Sequence, residues 1–185
     1  MSLVIVGHGP SLKGLGRGDE IDAHRVVRLK NPVWEVRADH GKRVDVLCAS
    51  TETMLALLDY PKVPGEYWAQ PKKGSYSQEQ AARFRQRAKA PLHIPLEVFL
   101  YWNAAYLARG MKHTNFSLGS AAIIFALELS GEKEILLAGF DNLLDPARPY
   151  EKIDRGRWRS DHDWIVENAM LAELAMHYGA TIGAL

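Results

Sequence analysis

The sequence predicts a single α/β domain over residues 1–185, with a mainly parallel sheet that carries helices on both faces. This prediction depends on the alternation of short apolar runs with helical segments, and on glycine-rich turns after two of those runs. Residues 2–6, 26–29 and 44–48 are the first three predicted strands, each bounded by glycine, proline or charge. Strands that alternate with helices are typical of parallel sheets covered on both sides.

The middle of the chain has a less regular pattern. Residues 60–77 are rich in proline, lysine, glycine and aromatic residues, which predicts a loop or lid that is mobile without ligand. Residues 78–89 are polar and basic and predict a surface helix. Residues 96–109 predict a more apolar helix, and Gly110 is placed to end it.

The last third of the chain is regular again. Residues 119–129 predict a helix that is apolar on nearly all sides and therefore buried, followed by a strand at residues 134–138. A polar loop at residues 145–160 precedes an amphipathic helix at residues 161–177. Residues 181–185 can add a final strand.

Composition restricts the possible functions. The formal net charge of +1 is too small to suggest a nucleic acid partner held by bulk electrostatics. No apolar stretch reaches the roughly 18 residues that span a bilayer, and the first residues lack a signal peptide pattern, so we expect a soluble, cytoplasmic protein without an integral membrane segment. The only cysteine, Cys48, lies in an apolar run and is expected to be a buried thiol.

The first glycine-rich turn, GHGPSLKGLG, begins directly after the first strand. It does not contain the phosphate-binding pattern GxxxxGK[ST]. Pro10 and Ser11 stand where a GxGxxG fingerprint would open its helix, and Leu12 replaces its third glycine. The turn alone is therefore equally consistent with a tight structural turn and with a nucleotide site at the carboxyl edge of the sheet.

Three separated segments together resemble the sialyltransferase family. The first resembles the large sialylmotif of the animal enzymes. Its residues 9–12, GPSL, are also similar to the corresponding loop of the bacterial enzymes. Residues 117–140 resemble the small sialylmotif, with a closing Gly-Phe pair, and residues 162–167, HDWIVE, match the very short motif HxxxxE. The large motif is matched in order by Val6, Gly7, Gly9, Leu12, Gly18, Glu20, Ile21, Asp22, His24 and Asn31.

This sequence also departs from the family pattern. His8 stands where the family has asparagine, and the arginine of the large motif appears one position early, as Arg28. Pro149, Tyr150 and Glu151 resemble the third motif, usually HYYE, with Arg148 in place of its histidine. The cysteines that join the large and small motifs in the animal enzymes are absent, which a reducing cytoplasm would explain.

The resemblance implies a Rossmann-like fold, a variant of the GT-A type, and a CMP-sugar-dependent glycosyltransferase. Such an enzyme would transfer sialic acid or a related keto-sugar acid such as Kdo to a glycan or glycolipid hydroxyl, with inversion, without a metal and without a further cofactor. The implied nucleotide-binding residues are Gly7, His8, Gly9, Pro10, Ser11, Asn31, Ser117, Leu118, Gly119, Gly139 and Phe140.

The implied catalytic residues are His162 and Arg148. The family motif assigns His162 as the general base, and an imidazole with a pKa near ~6.5 suits that role at neutral pH. A guanidinium at Arg148 can bind phosphate oxygens with two parallel hydrogen bonds. The alternative is that Asp161 and His162 only cap a surface helix.

Two further alternatives remain open. The GxGPSL loop also resembles that of archaeal pterin diphosphokinases, which would require ATP, magnesium and a pair of carboxylates. The departures at His8 and Arg148 also permit a nucleotide-binding protein of the same fold without catalytic activity. The acceptor, the linkage and the oligomeric state do not follow from the sequence.

Overall fold

The strands form one parallel sheet. In a computed structural model of the chain, the described residues are 2–30, 37–50, 66–70, 92–93, 95–112, 116–144 and 163–185. Within them the sheet has seven strands in the order β5-β4-β3-β2-β1-β6-β7, and every neighbouring pair is parallel. The strands are β1 (Leu3–Val6), β2 (Arg25–Leu29), β3 (Val46–Ser50), β4 (Glu66–Gln70), β5 (Leu92–His93), β6 (Glu134–Ala138) and β7 (Thr181–Ala184).

Helices cover both faces of the sheet. A short 3₁₀ turn at Pro10–Leu12 is followed by α1 (Gly18–Asp22), α2 (Arg37–His40), α3 (Leu96–Ala108), α4 (Leu118–Glu128), α5 (Asp141–Leu144) and α6 (Trp164–Tyr178). One hydrophobic cluster joins Leu3 and Ile5 to side chains of α3, α4 and α6. A second cluster joins Val4 and Val6 to Leu12 and Ile21. The predicted α/β fold class, with a parallel sheet between two layers of helices, is confirmed.

β1 has a uniformly apolar sequence and is an interior strand, with β2 on one side and β6 on the other. All four residues of β1 are fully buried, because alternate side chains enter the two clusters on opposite faces. The buried helix predicted from residues 119–129 is α4, in which ten of eleven residues are buried. Cys48 is also fully buried, and this burial raises the pKa of its thiol, so the predicted buried thiol is confirmed.

One part of the predicted loop at residues 60–77 is wrong. Residues Glu66–Gln70 form β4, which pairs with β3 over five positions. The loop prediction gave weight to the flanking prolines and lysines, whereas Tyr67 and Trp68 are buried against the core. The Trp68 ring stacks on Phe125 of α4, with ring centroids 5.5 Å apart. Burial of these two aromatic side chains outweighs the unfavourable local composition.

Other boundaries differ by a few residues. The third strand begins at Val46 rather than at residue 44, because Asp45 belongs to the preceding turn and its carboxylate accepts hydrogen bonds from the Val26 amide and the Arg43 side chain. The final helix begins at Trp164, with Asp163 as its cap. The predicted helix at residues 78–89 and the predicted loop at residues 145–160 lie outside the described residues.

Among the helices of the described residues, none is both long enough and apolar enough to span a membrane.

Candidate functional site

The two glycine-rich turns lie side by side at the carboxyl edge of the sheet. β1 and β6 are neighbours, with Val6 paired to Ala138, so the turns that begin at Gly7 and Gly139 leave the sheet together. From β1 the sheet extends through β2 in one direction and through β6 in the other, which makes this the point where the strand order reverses. Ligands of open α/β sheets bind in the crevice at such a point.

Hydrogen bonds join these two turns directly. The Gly7 amide donates to Ala138 O at 2.8 Å, and the Gly9 amide donates to Gly139 O at 2.8 Å. The Ser11 amide donates to the Asp141 carboxylate at 3.1 Å. Three of the four N–H groups between Gly7 and Ser11 are therefore occupied within the protein, and this segment forms a fixed floor at the sheet edge.

Close backbone packing explains why glycine is required in these turns. A Cβ atom at Gly7 would lie 2.5 Å from Gly139 O, and one at Gly9 would overlap the Asp141 carboxylate. Gly139 has a positive φ of 68°, which side chains disfavour. These glycines, which the family resemblance assigns to the nucleotide site, thus allow the two turns to approach each other closely.

The start of α4 lies against the same turns. Ser117 caps this helix, and its hydroxyl accepts a hydrogen bond from the Ser120 amide at 3.1 Å. A Cβ atom at Gly119 would lie 2.7 Å from the Phe140 ring, so this ring packs directly on the first turn of α4. The structure therefore brings together three predicted groups: residues 7–11, residues 117–119, and the Gly139-Phe140 pair.

His8 is anchored at the same edge. Its Nε2 lies 2.8 Å from Leu29 O at the end of β2. Because a carbonyl oxygen only accepts hydrogen bonds, Nε2 carries the proton in this contact. Although His8 is exposed overall, partial desolvation of its ring lowers its pKa, the hydrogen bond to Leu29 opposes this, and Lys30 and His40 lower the pKa further. His8 is therefore mainly neutral at neutral pH.

A buried carboxyl group links α6 to the start of α4. Glu167 is fully buried, and the Ser117 amide donates to both of its carboxylate oxygens at 3.2 Å. The hydroxyls of Ser117 and Ser120 donate to Oε2, the latter at 2.5 Å. Burial raises the pKa of Glu167, while these hydrogen bonds oppose the shift. In the sequence Glu167 is only the last residue of the HxxxxE match, and its partners Ser117 and Ser120 lie 50 and 47 residues away.

Residues 37–43 are held to the large-motif segment by buried charged groups. Arg28 is fully buried and donates to His40 O at 2.7 Å and to Arg43 O at 2.9 Å. Burial lowers the pKa of Arg28 to about 10, and Asp22 opposes this, so the group stays charged at neutral pH. The Asp39 carboxylate accepts from the Gly14 and Gly16 amides at 2.8 and 2.9 Å. In the sequence, the signal for this support was Arg28, a charged residue inside the otherwise apolar run of residues 26–29.

The remaining predicted site residues are one nucleotide-binding candidate and two catalytic candidates. Asn31, Arg148 and His162 lie outside the described residues. Asp141 is the first residue of α5, and its carboxylate accepts the hydrogen bond from the Ser11 amide.

Comparisons with known proteins give results for structure only. No protein-family profile matches the chain, and no curated protein matches it in sequence. A structure of the sialyltransferase CstII from Campylobacter jejuni, in complex with the substrate analogue cytidine-5'-monophosphate, is similar with a TM-score of 0.66 and 17% identity. The similarity covers 100% of this chain and 79% of that chain.

A second structure, of CST-II in complex with a trisaccharide acceptor and CMP, is similar with a TM-score of 0.63 and 17% identity. That similarity covers 100% of this chain and 81% of the other. This chain therefore shares the α/β fold of the CstII structures.

Proposed function

We propose that this chain belongs to the sialyltransferase-like family and is a CMP-sugar-dependent glycosyltransferase. One observation carries the proposal: the two glycine-rich turns that match the large and small sialylmotifs meet at the strand-order reversal, in the fold of structures solved with CMP. The sugar transferred would be sialic acid or a related keto-sugar acid such as Kdo. The acceptor would be a glycan or glycolipid hydroxyl.

The donor nucleotide would lie above the floor formed by residues 7–11. Because the amides of Gly7, Gly9 and Ser11 donate within the protein, these residues would shape the site rather than supply N–H groups to the phosphate. The Ser117 turn and the Gly139-Phe140 pair would form its other side. Asn31, which follows β2 closely in sequence, is proposed to complete the nucleotide site.

The transfer would be an inverting displacement. The acceptor oxygen would form a bond to the anomeric carbon while the bond from that carbon to the phosphate oxygen breaks, and CMP would leave with the electron pair. His162 would take the acceptor proton as general base, and Arg148 would stabilise the negative charge of the departing phosphate. These roles follow from the family resemblance of residues 148–151 and 162–167, and the reaction so written requires no metal.

A second candidate function is nucleotide binding without transfer. The observation that favours it is the hydrogen bond that His8 Nε2 donates to Leu29 O at 2.8 Å. The family has asparagine at this position, so one contact to the donor is altered here. This candidate predicts CMP binding without turnover of a CMP-sugar.

Calorimetry with CMP, CDP, ATP and a pterin tests the proposed function. We expect CMP to bind, and a CMP-sugar supplied with a glycan acceptor to release CMP. CMP binding without release from any CMP-sugar supports the second candidate. Binding of ATP and a pterin, but not of CMP, would overturn both and favour a diphosphokinase.

A further inference from the structure

Glu167 has an environment that packing alone does not explain. It lies on the buried face of α6 with Met170 and Leu174, which are also fully buried. A carboxyl group on such a face costs free energy relative to an apolar side chain of similar size, unless its oxygens are well bonded. The hydrogen bonds from Ser117 and Ser120 satisfy that condition.

The partner of Glu167 is the turn that begins α4. Ser117 both caps α4 and donates its amide to Glu167, so one residue fixes the helix start to α6. In the same turn Gly119 contacts the Phe140 ring, and Phe140 follows Gly139, whose carbonyl accepts from the Gly9 amide. A chain of direct contacts therefore connects Glu167 to the floor of the proposed nucleotide site.

Glu167 is equally close to the beginning of its own helix. Its amide donates to Asp163 O at 2.9 Å, which closes the first turn of α6. The Asp163 side chain caps that helix by accepting from the Val166 amide. The residue that precedes Asp163 in the sequence is His162, the proposed general base.

We propose that Glu167 is a positioning residue that holds the first turn of α6 and the Ser117 turn of α4 in one fixed arrangement. The Ser117 side of the proposed nucleotide site and the first turn of α6 are then parts of a single rigid unit. This inference rests on the proposed function, because it assigns the arrangement to a CMP site.

The variant Glu167→Gln tests the inference. Glutamine keeps the length of the side chain but turns an NH₂ group toward partners that also donate, so the Ser117 turn loses at least one hydrogen bond. We expect CMP affinity to fall by about tenfold, the order expected when a hydrogen bond to a charged group is lost. We also expect faster hydrogen exchange at the Ser117 amide.

Two control variants separate positioning from stability. Leu174→Val creates a small cavity on the same buried face of α6, and it should lower the melting temperature while leaving the CMP affinity of the folded protein unchanged. Glu97→Gln makes the same chemical change at an exposed position of α3 and should change neither quantity measurably.

Ser120→Ala is a second test, for use if Glu167→Gln is too unstable to measure. It removes one hydrogen bond to Glu167 and should also weaken CMP binding.

A double-mutant cycle with Ser117→Ala gives the decisive comparison. Ser117→Ala removes the hydroxyl that donates to Glu167 but keeps the amide, so if Glu167 acts through this turn the two substitutions should weaken CMP binding by less than the sum of their separate effects. Additive effects, or unchanged CMP affinity in Glu167→Gln, would overturn the inference and leave the proposed function standing. If the wild-type protein does not bind CMP, the proposed function and this inference fall together.

Discussion

At the scale of single residues, the glycines of the first turn have a measurable structural role. Gly7→Ala places a methyl group 2.5 Å from Gly139 O, so one of the two turns must move. We expect a stability loss of about 1–3 kcal/mol, typical of overpacking, together with loss of CMP binding. Thermal melting and calorimetry measure the two effects.

Gly183→Ala is the matched control, because a Cβ atom there has no neighbour within 4 Å. It should melt and bind CMP as the wild type does. Unchanged CMP affinity in Gly7→Ala would show that the nucleotide lies elsewhere.

The proposed role of His162 as general base leads to a prediction about turnover. His162→Ala should lower turnover of a CMP-sugar by ~10²–10⁴-fold, the usual contribution of a positioned proton acceptor, while CMP affinity stays nearly constant. A residue that only capped a helix would instead cost ~0.5–2 kcal/mol of stability and change turnover only through folding. Initial rates, calorimetry and the melting temperature of His162→Ala distinguish the two roles.

The control is His24→Ala, since the His24 ring contacts Ser2 near the start of the chain. Turnover in His162→Ala close to that of the wild type would place the base elsewhere.

Because the carboxyl group of Glu167 is buried, we expect the stability of the protein to depend on pH. Burial raises its pKa in the folded state above the value in the unfolded chain, so the folded protein binds this proton more tightly. The associated stability is fully present below the unfolded pKa and is lost as the pH rises through the folded pKa. The melting temperature of the wild type, minus that of Glu167→Gln, should therefore decrease as the pH is raised from about 4, near the ordinary pKa of glutamate.

Other titrating groups are common to both proteins and cancel in this difference. A difference that increased with pH would mean that hydrogen bonding to the carboxylate, rather than burial, dominates at this site.

At the scale of elements, β4 depends on a contact with α4. Trp68 is fully buried, its ring stacks on Phe125, and its indole N–H donates to Glu66 at 2.9 Å. Trp68→Ala should lower the free energy of unfolding by about 3–5 kcal/mol, as expected for a buried aromatic residue. Urea denaturation of the variant measures this loss.

Leu100→Ala removes a side chain of α3 that is 56% exposed, and it should cost far less. If the two variants lose the same free energy of unfolding, residues 66–70 would form a loop, as their local composition suggests, and not a buried strand.

The elements themselves were largely predictable. Continuous apolar runs identified β1 and β6, and α4 was identified as a buried helix, because burial on both faces or on all sides leaves no polar position in the pattern. β4 was missed because its burial depends on Phe125, which lies far away in the sequence. The start of β3 was misplaced because the hydrogen bonds of Asp45 to Val26 and Arg43 decide where the turn ends.

At the scale of the whole molecule, the similarity to the CstII structures extends over all of this chain at 17% identity. So low an identity preserves the fold because burial and turn chemistry tolerate many substitutions. Within the described residues, the turns of the segments that resemble the large and small sialylmotifs meet at the sheet edge. This agreement between sequence pattern and topology supports the proposed function.

The sequence by itself determined the fold class, most strands, the buried helix and the two glycine-rich turns, because burial and backbone conformation leave local patterns. Only the tertiary structure decided that β6 lies beside β1, that the amides of Gly7 and Gly9 donate to the β6 segment, and that Glu167 binds Ser117. Periodicity records whether a side chain is buried but not which distant residue it meets. Those partners are set by strand order and packing of the whole chain, which no local pattern contains.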